Sequence, residues 1–106
     1  MTFQNSAGVM IEVSESAFEE VKNRFIEEMR PFGLDKWVSS TPSRLVESAD
    51  GRLLAEVQTV MLPIWYPKKL QELERAGYDV RRKLKTYVKQ PPCEMYWVQK
   101  LYEIGG

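Results

Sequence analysis

The chain has 106 residues and no net charge, with 15 basic and 15 acidic residues, and apolar residues make up 43% of it. This composition suits one folded domain and excludes an intrinsically disordered chain. The sequence holds no run of about 20 apolar residues, so we expect no membrane association. The single cysteine, Cys93, rules out an internal disulfide and fits a reducing compartment, and we therefore expect a cytoplasmic protein.

The charges are divided unevenly along the chain. Residues 1–50 have a net charge of −4, and residues 51–106 have a net charge of +4. Opposite charges of this kind attract each other within one domain or between two copies of it. A nucleic-acid-binding protein usually has a surplus of basic residues, so we do not expect nucleic acid to be the partner.

The first elements are a loose N-terminus and a short strand. We expect residues 1–106 to form a single domain. Residues 1–8 are polar and show no hydrophobic periodicity, so we expect them to be loose. Val9, Ile11 and Val13 then alternate with other residues, which predicts a strand with one buried face.

A helix is predicted over residues 15–30. Ser14 and Ser16 are both suitable N-caps, and Pro31 and Gly33 end the helix. Its apolar residues recur at helical spacing and predict a buried stripe of Phe18, Val21, Phe25 and Met29.

A β-hairpin is the preferred interpretation of the next segments, residues 44–48 and 52–62. Gly51 suits the left-handed position of the turn between them. A helix over the second segment is the alternative, because its apolar residues also fit a helical stripe.

A second helix is predicted over residues 68–76, with Pro67 in its first turn. Gly77 leaves two alternatives open for residues 78–89. If it caps the helix, these residues form a strand; if it lies inside a longer helix, the apolar stripe continues to residue 89. The unbroken three- and four-residue spacing favours the long helix.

The prolines of residues 90–92 predict a break, and residues 95–104 predict a final strand in which Trp97 fills the core. The element order indicates an α+β fold. We expect a small antiparallel or mixed sheet of about four strands, with two helices packed on one face.

The chain has no histidine, which removes the usual general base and the commonest metal ligand. We therefore expect no metal, no cofactor and no catalytic residues, and we favour a protein that is not an enzyme. Cys93 is expected to be an inert, at least partly buried thiol. The paired glutamates of the first helix point in different directions and are expected to form a solvated face: Glu19, Glu20, Glu27 and Glu28.

One cluster of basic residues and one set of aromatic residues are candidate contact sites. The basic cluster is Arg81, Arg82, Lys83 and Lys85. We expect these side chains to be solvated near the C-terminal end of the long helix, where their charges complement the helix macrodipole. Large side chains in connecting segments are typical of binding sites, which makes Trp37, Trp65 and Tyr66 candidates. Met61 is a candidate because it would line a pocket together with these three residues.

These patterns name no ligand, and they favour a non-catalytic protein-binding module that self-associates, most simply as a dimer. The first alternative is a small-molecule-binding domain with an aromatic-lined pocket between helix and sheet. The second alternative is nucleic-acid binding through residues 81–85.

Overall fold

The computed structural model describes residues 2–40, 44–63 and 67–104. These residues form an α+β fold with a five-stranded antiparallel sheet, a separate two-stranded sheet and two α-helices. In chain order the elements are β1 (Thr2–Gln4), β2 (Met10–Glu12), α1 (Glu15–Met29), β3 (Arg44–Glu47), β4 (Leu53–Gln58), β5 (Leu62–Pro63), α2 (Pro67–Arg75), β6 (Asp79–Tyr87) and β7 (Gln90–Glu103). Two short 3-10 turns, Arg30–Phe32 and Asp35–Trp37, connect α1 to the sheet.

The N-terminal segment is more ordered than its sequence predicts. β1 pairs antiparallel with β2, so the expectation that residues 1–8 are loose is wrong for Thr2–Gln4. The turn is held by Asn5, whose side-chain oxygen accepts hydrogen bonds from the backbone N–H groups of Ala7 and Val9 at 3.0 and 2.9 Å. A side chain that stabilises a turn in this way leaves no hydrophobic periodicity in the sequence.

Helix α1 confirms the prediction and resolves its N-cap. The Ser14 hydroxyl accepts a hydrogen bond from the Ala17 N–H at 3.3 Å, which satisfies one of the free donors at the helix start. Val21, Phe25 and Met29 are buried as predicted, whereas Phe18 is only partly buried against the core. Gly33 ends the following 3-10 turn with a φ of +72°, a conformation that glycine adopts without strain.

The hairpin of β3 and β4 is also confirmed, and the helical alternative is excluded. Gly51 has a φ of +84° in the turn, as the predicted left-handed position requires. Leu45 lies opposite Ala55, and Val46 lies opposite Leu54. The strand stops at Gln58, earlier than the predicted residue 62.

Helix α2 confirms the second predicted helix, with Leu70 and Leu73 buried. The longer helix is wrong, because Gly77 has a φ of +92° and ends α2, and residues 79–87 form strand β6. The apolar residues of this segment are compatible with both periods. The left-handed glycine and the pairing of β6 with β7 decide in favour of the strand.

Strand β7 is longer than predicted and begins before the two prolines. The turn between β6 and β7 lies at Val88 and Lys89, so the break predicted at residues 90–92 is misplaced. Lys85 pairs with Cys93 and Tyr87 pairs with Gln90, which leaves Pro91 and Pro92 together opposite one residue. Because a β-bulge interrupts the ladder of hydrogen bonds, it can hold residues that lack a backbone donor.

Both edges of β7 are used by other strands. Gln99 pairs with Gln58 of β4 and with Asp79 of β6, and Tyr96 pairs with Leu62 of β5 and with Arg82 of β6. Strands β4 and β5 therefore lie one after the other along one edge, and β6 lies along the opposite edge. Most of β7 is consequently interior to the sheet.

The core lies between the two helices and one face of the sheet. It unites the buried residues of α1 and α2 with strand residues that share this face, including Ala55, Val57, Tyr96, Val98 and Tyr102. The radius of gyration, 15.8 Å, exceeds the roughly 13 Å of a compact domain of this length. The excess arises where β6 and β7 extend past β5 as a two-stranded ribbon, residues 84–94, with exposed Leu84, Tyr87 and Val88.

We expect Gly77→Ala to lower the free energy of unfolding by about 1–2 kcal/mol, because a side chain at its positive φ is strained. A Cβ there would meet no atom within 4 Å, so the loss would come from the backbone and not from a clash. Urea unfolding followed by circular dichroism measures the change. Lys89→Gly is the control and should raise the free energy of unfolding, because Lys89 has a φ of +64°, which glycine adopts without strain. Unchanged stability of Gly77→Ala would contradict the left-handed end of α2.

Candidate functional site

Backbone hydrogen bonds on both sides fix the position of Trp37. After Gly33, the N–H of Leu34 donates to the carbonyl of Met29 at 3.1 Å, and Leu34 is buried. The N–H of Trp37 then donates to the carbonyl of Leu34 at 3.0 Å, and the carbonyl of Trp37 accepts from the N–H of Val60 at 2.8 Å. The connector is therefore attached to the end of α1 and to the sheet.

Thr59 continues the sheet where β4 ends. Its N–H donates to the carbonyl of Val98 at 2.9 Å, and its hydroxyl accepts from the N–H of Val98 at 3.0 Å. A side-chain oxygen thus takes the place of a backbone acceptor in the ladder. Because Thr59 is completely buried, these bonds also satisfy polar groups that water cannot reach.

A β-bulge follows at once. Thr59 is bonded to the residue after Trp97, and Leu62 pairs with the residue before it, so Val60 and Met61 together lie opposite Trp97. Bulges of this kind change the direction of side chains at a sheet edge. Here the bulge brings Met61 beside Trp37, 24 positions earlier in the chain.

The two residues line an open groove of about 400 Å³, which we call the Trp37 groove. Its apolar lining residues are Leu34, Trp37, Met61, Leu62, Pro63 and Tyr96. Lys69 of α2 lies at the margin of the groove beside Gly33. A Cβ added at Gly33 would lie 3.6 Å from the ammonium nitrogen of Lys69. Trp37 is 50% exposed, whereas Leu34 and Tyr96 are buried and form the floor.

Two of the four aromatic and methionine candidates from the sequence therefore lie together, Trp37 and Met61. The other two, Trp65 and Tyr66, lie outside the described residues. Leu34 and Tyr96 were not predictable from the sequence as lining residues, because only the packing of the connector on β5 and β7 brings them to the groove. Gly33, directly before Leu34, indicated a turn at this point, because glycine favours the left-handed conformation that ends a helical turn.

A second cluster lies around Glu28, where α1 meets β7. The Glu28 carboxylate accepts hydrogen bonds from the Tyr78 hydroxyl at 3.1 Å, from the Lys100 ammonium at 2.5 Å and from the Tyr102 hydroxyl. Arg24 lies over the ring of Tyr102, with its guanidinium carbon 4.9 Å from the ring centre. The prediction of a solvated glutamate face is therefore wrong for Glu28, which joins the helix to the sheet.

The neighbouring Glu27 shows why adjacent glutamates behave differently. Its carboxylate points outward and pairs with Arg30 at 2.7 Å. Successive helix residues diverge by about 100°, so only one member of the pair can face the sheet. The two carboxylates therefore do not converge on one substrate, as the sequence predicts.

Tyr78 has a shifted acidity within the Glu28 cluster. Burial raises the pKa of Tyr78 above its ordinary value, and the negative charge of Glu28 raises it further. Both effects favour the neutral phenol, which donates its proton to the carboxylate in a hydrogen bond. The arrangement is a structural link between a helix and the sheet.

The four basic candidates lie on a strand and on two different faces of the sheet, so the expectation of a helix end is wrong. Arg82 is on the face that carries the helices and pairs with Glu74 of α2 at 2.5 Å. The opposite face carries Arg81, Lys83 and Lys85, which lie across from Trp97, Met95 and Cys93 of β7.

Trp97 is half-buried on this opposite face and takes no part in the hydrophobic core, so the prediction that it fills the core is wrong. The residue alternates with Tyr96 and Val98, which point to the helices. Cys93 is half-buried, as predicted.

Within the described residues, no group of three or more acidic or cysteine side chains is arranged to hold a metal ion. None of the helices found in those residues has the length and apolar character to cross a membrane. The chain matches no protein-family model, no curated protein and no solved structure.

We expect the free energy of unfolding to fall as the pH rises above 10, and to fall less in Tyr78→Phe. Below pH 10 the phenol is protonated in both states; above it the unfolded chain loses the proton first, because the pKa of Tyr78 is raised in the folded state. Urea unfolding at several pH values between 9 and 11 measures both slopes. Tyr96, whose pKa burial also raises, contributes equally to both proteins. Identical slopes would show that the Tyr78 proton is not held more tightly in the folded protein.

Proposed function

We propose that the protein is a non-catalytic binding module that receives a large apolar side chain of a protein partner in the Trp37 groove. The observation that carries this proposal is the exposure of Trp37 beside Met61, above a floor of buried residues. Tryptophan is among the residues most enriched at interaction hot spots.

The energy available at Trp37 is sufficient for a specific contact. A tryptophan side chain buries up to about 250 Å², so covering the exposed half removes roughly 100 Å² from water. At about 25 cal/mol per Å², this burial contributes roughly 2.5 kcal/mol, or about 50-fold in affinity. Losses from ordering the partner reduce the net gain, and so other contacts along the groove are needed.

The shape of the groove favours a protein segment over a small molecule. A small molecule binds tightly when the pocket encloses most of its surface. The Trp37 groove is open on one side, and the space beneath it is filled by Leu34 and Tyr96. A protein partner supplies its own cover over the open side, which a small ligand does not.

Self-association is a separate prediction, which the ribbon supports. Val88 at its tip is 89% exposed, and Leu84 and Tyr87 are exposed beside it, so a second copy would remove an apolar patch from water. Pairing of two β6 edges is disfavoured, because it would place the cations of two copies next to each other. We therefore expect a dimer to form through the ribbon tip.

The groove is tested with a phage-displayed library of random peptides, selected on the wild-type protein and counter-selected on Trp37→Ala. Peptides that survive are synthesised, and their dissociation constants are measured by fluorescence anisotropy. We expect peptides with a large apolar residue whose affinity falls about 50-fold in Trp37→Ala, as the area above implies.

Leu101→Ala is the matched control for this experiment, because Leu101 is a similarly exposed apolar residue on the other face of the sheet. It should change the affinity less than twofold. Selected peptides that bind the two variants equally well, or a selection that enriches nothing, would refute the groove as the binding site.

The dimer is tested by size-exclusion chromatography with light scattering at high micromolar concentration. We expect the wild-type protein to have twice the mass of one chain, and Val88→Ser to shift it towards a single chain, because the change removes the most exposed apolar residue of the tip. Val60→Ser, at an exposed apolar position outside the ribbon, is the control. A wild-type monomer under these conditions would end the self-association prediction.

A further inference from the structure

The sheet face opposite the helices, which we call the open face, carries a row of cations beside a tryptophan. Side chains alternate along a strand, so Arg81, Lys83 and Lys85 of β6 project from this face at intervals of roughly 6.7 Å. Trp97 of β7 lies directly across from Arg81. No helix of the described residues packs on this side, because the core residues of β7 point the other way.

The charge of this part of the open face is positive after internal pairing. Asp79 pairs with Arg81 at 3.1 Å, and Glu94 lies across from Leu84 on the helix-bearing face. Lys83 and Lys85 have no ion pair or hydrogen bond to any described residue. The two lysines therefore add positive charge that no described carboxylate pairs with, although the chain as a whole is neutral.

Trp97 is held in one orientation. Its indole N–H donates to the side-chain oxygen of Gln99 at 2.9 Å, and the amide of Gln99 donates to Asp79 at 2.9 Å. The same Asp79 accepts from Arg81, so the network joins the tryptophan to the start of the cation row. An aromatic ring fixed in advance loses little conformational entropy when a planar group stacks on it.

We propose that the open face binds single-stranded nucleic acid, with Lys83 and Lys85 on backbone phosphates and a base stacked on Trp97. Lysine contacts to phosphates supply affinity, and aromatic rings next to a cationic track hold unpaired bases. The neutral total charge does not oppose this, because charges more than about 8 Å away are screened at physiological salt. The proposal is independent of the Trp37 groove, which lies on the helix-bearing side.

The chemistry of the face favours this partner over the alternatives. In a duplex the base faces are stacked inside, where Trp97 cannot reach them. The acidic helix α1 of a second copy is a weaker match, because three of its glutamates are already paired: Glu19 with Lys22, Glu27 with Arg30 and Glu28 with Lys100.

The test uses a fluorescein-labelled oligothymidine of about 15 nucleotides and measures its anisotropy with increasing amounts of the whole chain. We expect binding that weakens as salt rises from about 50 to 200 mM. Lys83→Ala/Lys85→Ala should lower the slope of log K against log salt by about 1.4, since each phosphate contact on a single strand contributes about 0.7. The nucleotide should also quench tryptophan emission in the wild-type protein and much less in Trp97→Phe.

Lys36→Ala/Lys68→Ala is the matched control, because it removes the same charge from exposed positions on the helical side. It should leave the slope unchanged. The proposal is overturned by the absence of an anisotropy change at low salt, by equal effects of the two double variants, or by duplex DNA that binds as tightly as the single strand. Equal competition by polyglutamate would also overturn it and would point to an acidic peptide instead.

Discussion

The structure depends on the pairing of β7 along both of its edges. Residues 95–103 bond to β4 and β5 on one side, and residues 90–99 bond to β6 on the other. No other strand of the described residues joins so many elements, and the same strand supplies Tyr96, Val98 and Tyr102 to the core. The Glu28 carboxylate then ties α1 to β7 through Lys100 and Tyr102. The sheet and the helical layer thus meet on one segment of 14 residues.

The two candidate binding surfaces also meet at β7. The bulge at Val60 and Met61 stands opposite Trp97, so Met61, which lines the Trp37 groove, and the Trp97 ring of the open face occupy one position in the ladder. The surfaces nevertheless face away from each other, because neighbouring residues of β7 alternate between the two sides. A protein segment and a nucleic acid would therefore approach from different directions.

Local signals were sufficient to predict part of this fold. Ser14 marked the start of α1 and Gly51 marked the hairpin, and two of the contact candidates, Trp37 and Met61, lie together in one groove. Interactions distant in sequence were not predictable in this way. The partners of Glu28 lie 50 to 74 residues away, and the strand of residues 79–87 is decided by β7 and not by its own periodicity. The floor of the Trp37 groove was not predictable from the sequence for the same reason, because Tyr96 reaches it only through the packing of the connector on β7.

The position of β7 near the end of the described chain has a consequence for biosynthesis. While residues 90–104 remain inside the ribosome, β7 supplies none of its core residues to cover the apolar stripe of α1, and β4 has one unpaired edge. The emerging chain therefore exposes apolar surface until β7 has left the ribosome. Folding of this kind is concerted and late, because the first elements made must wait for the last.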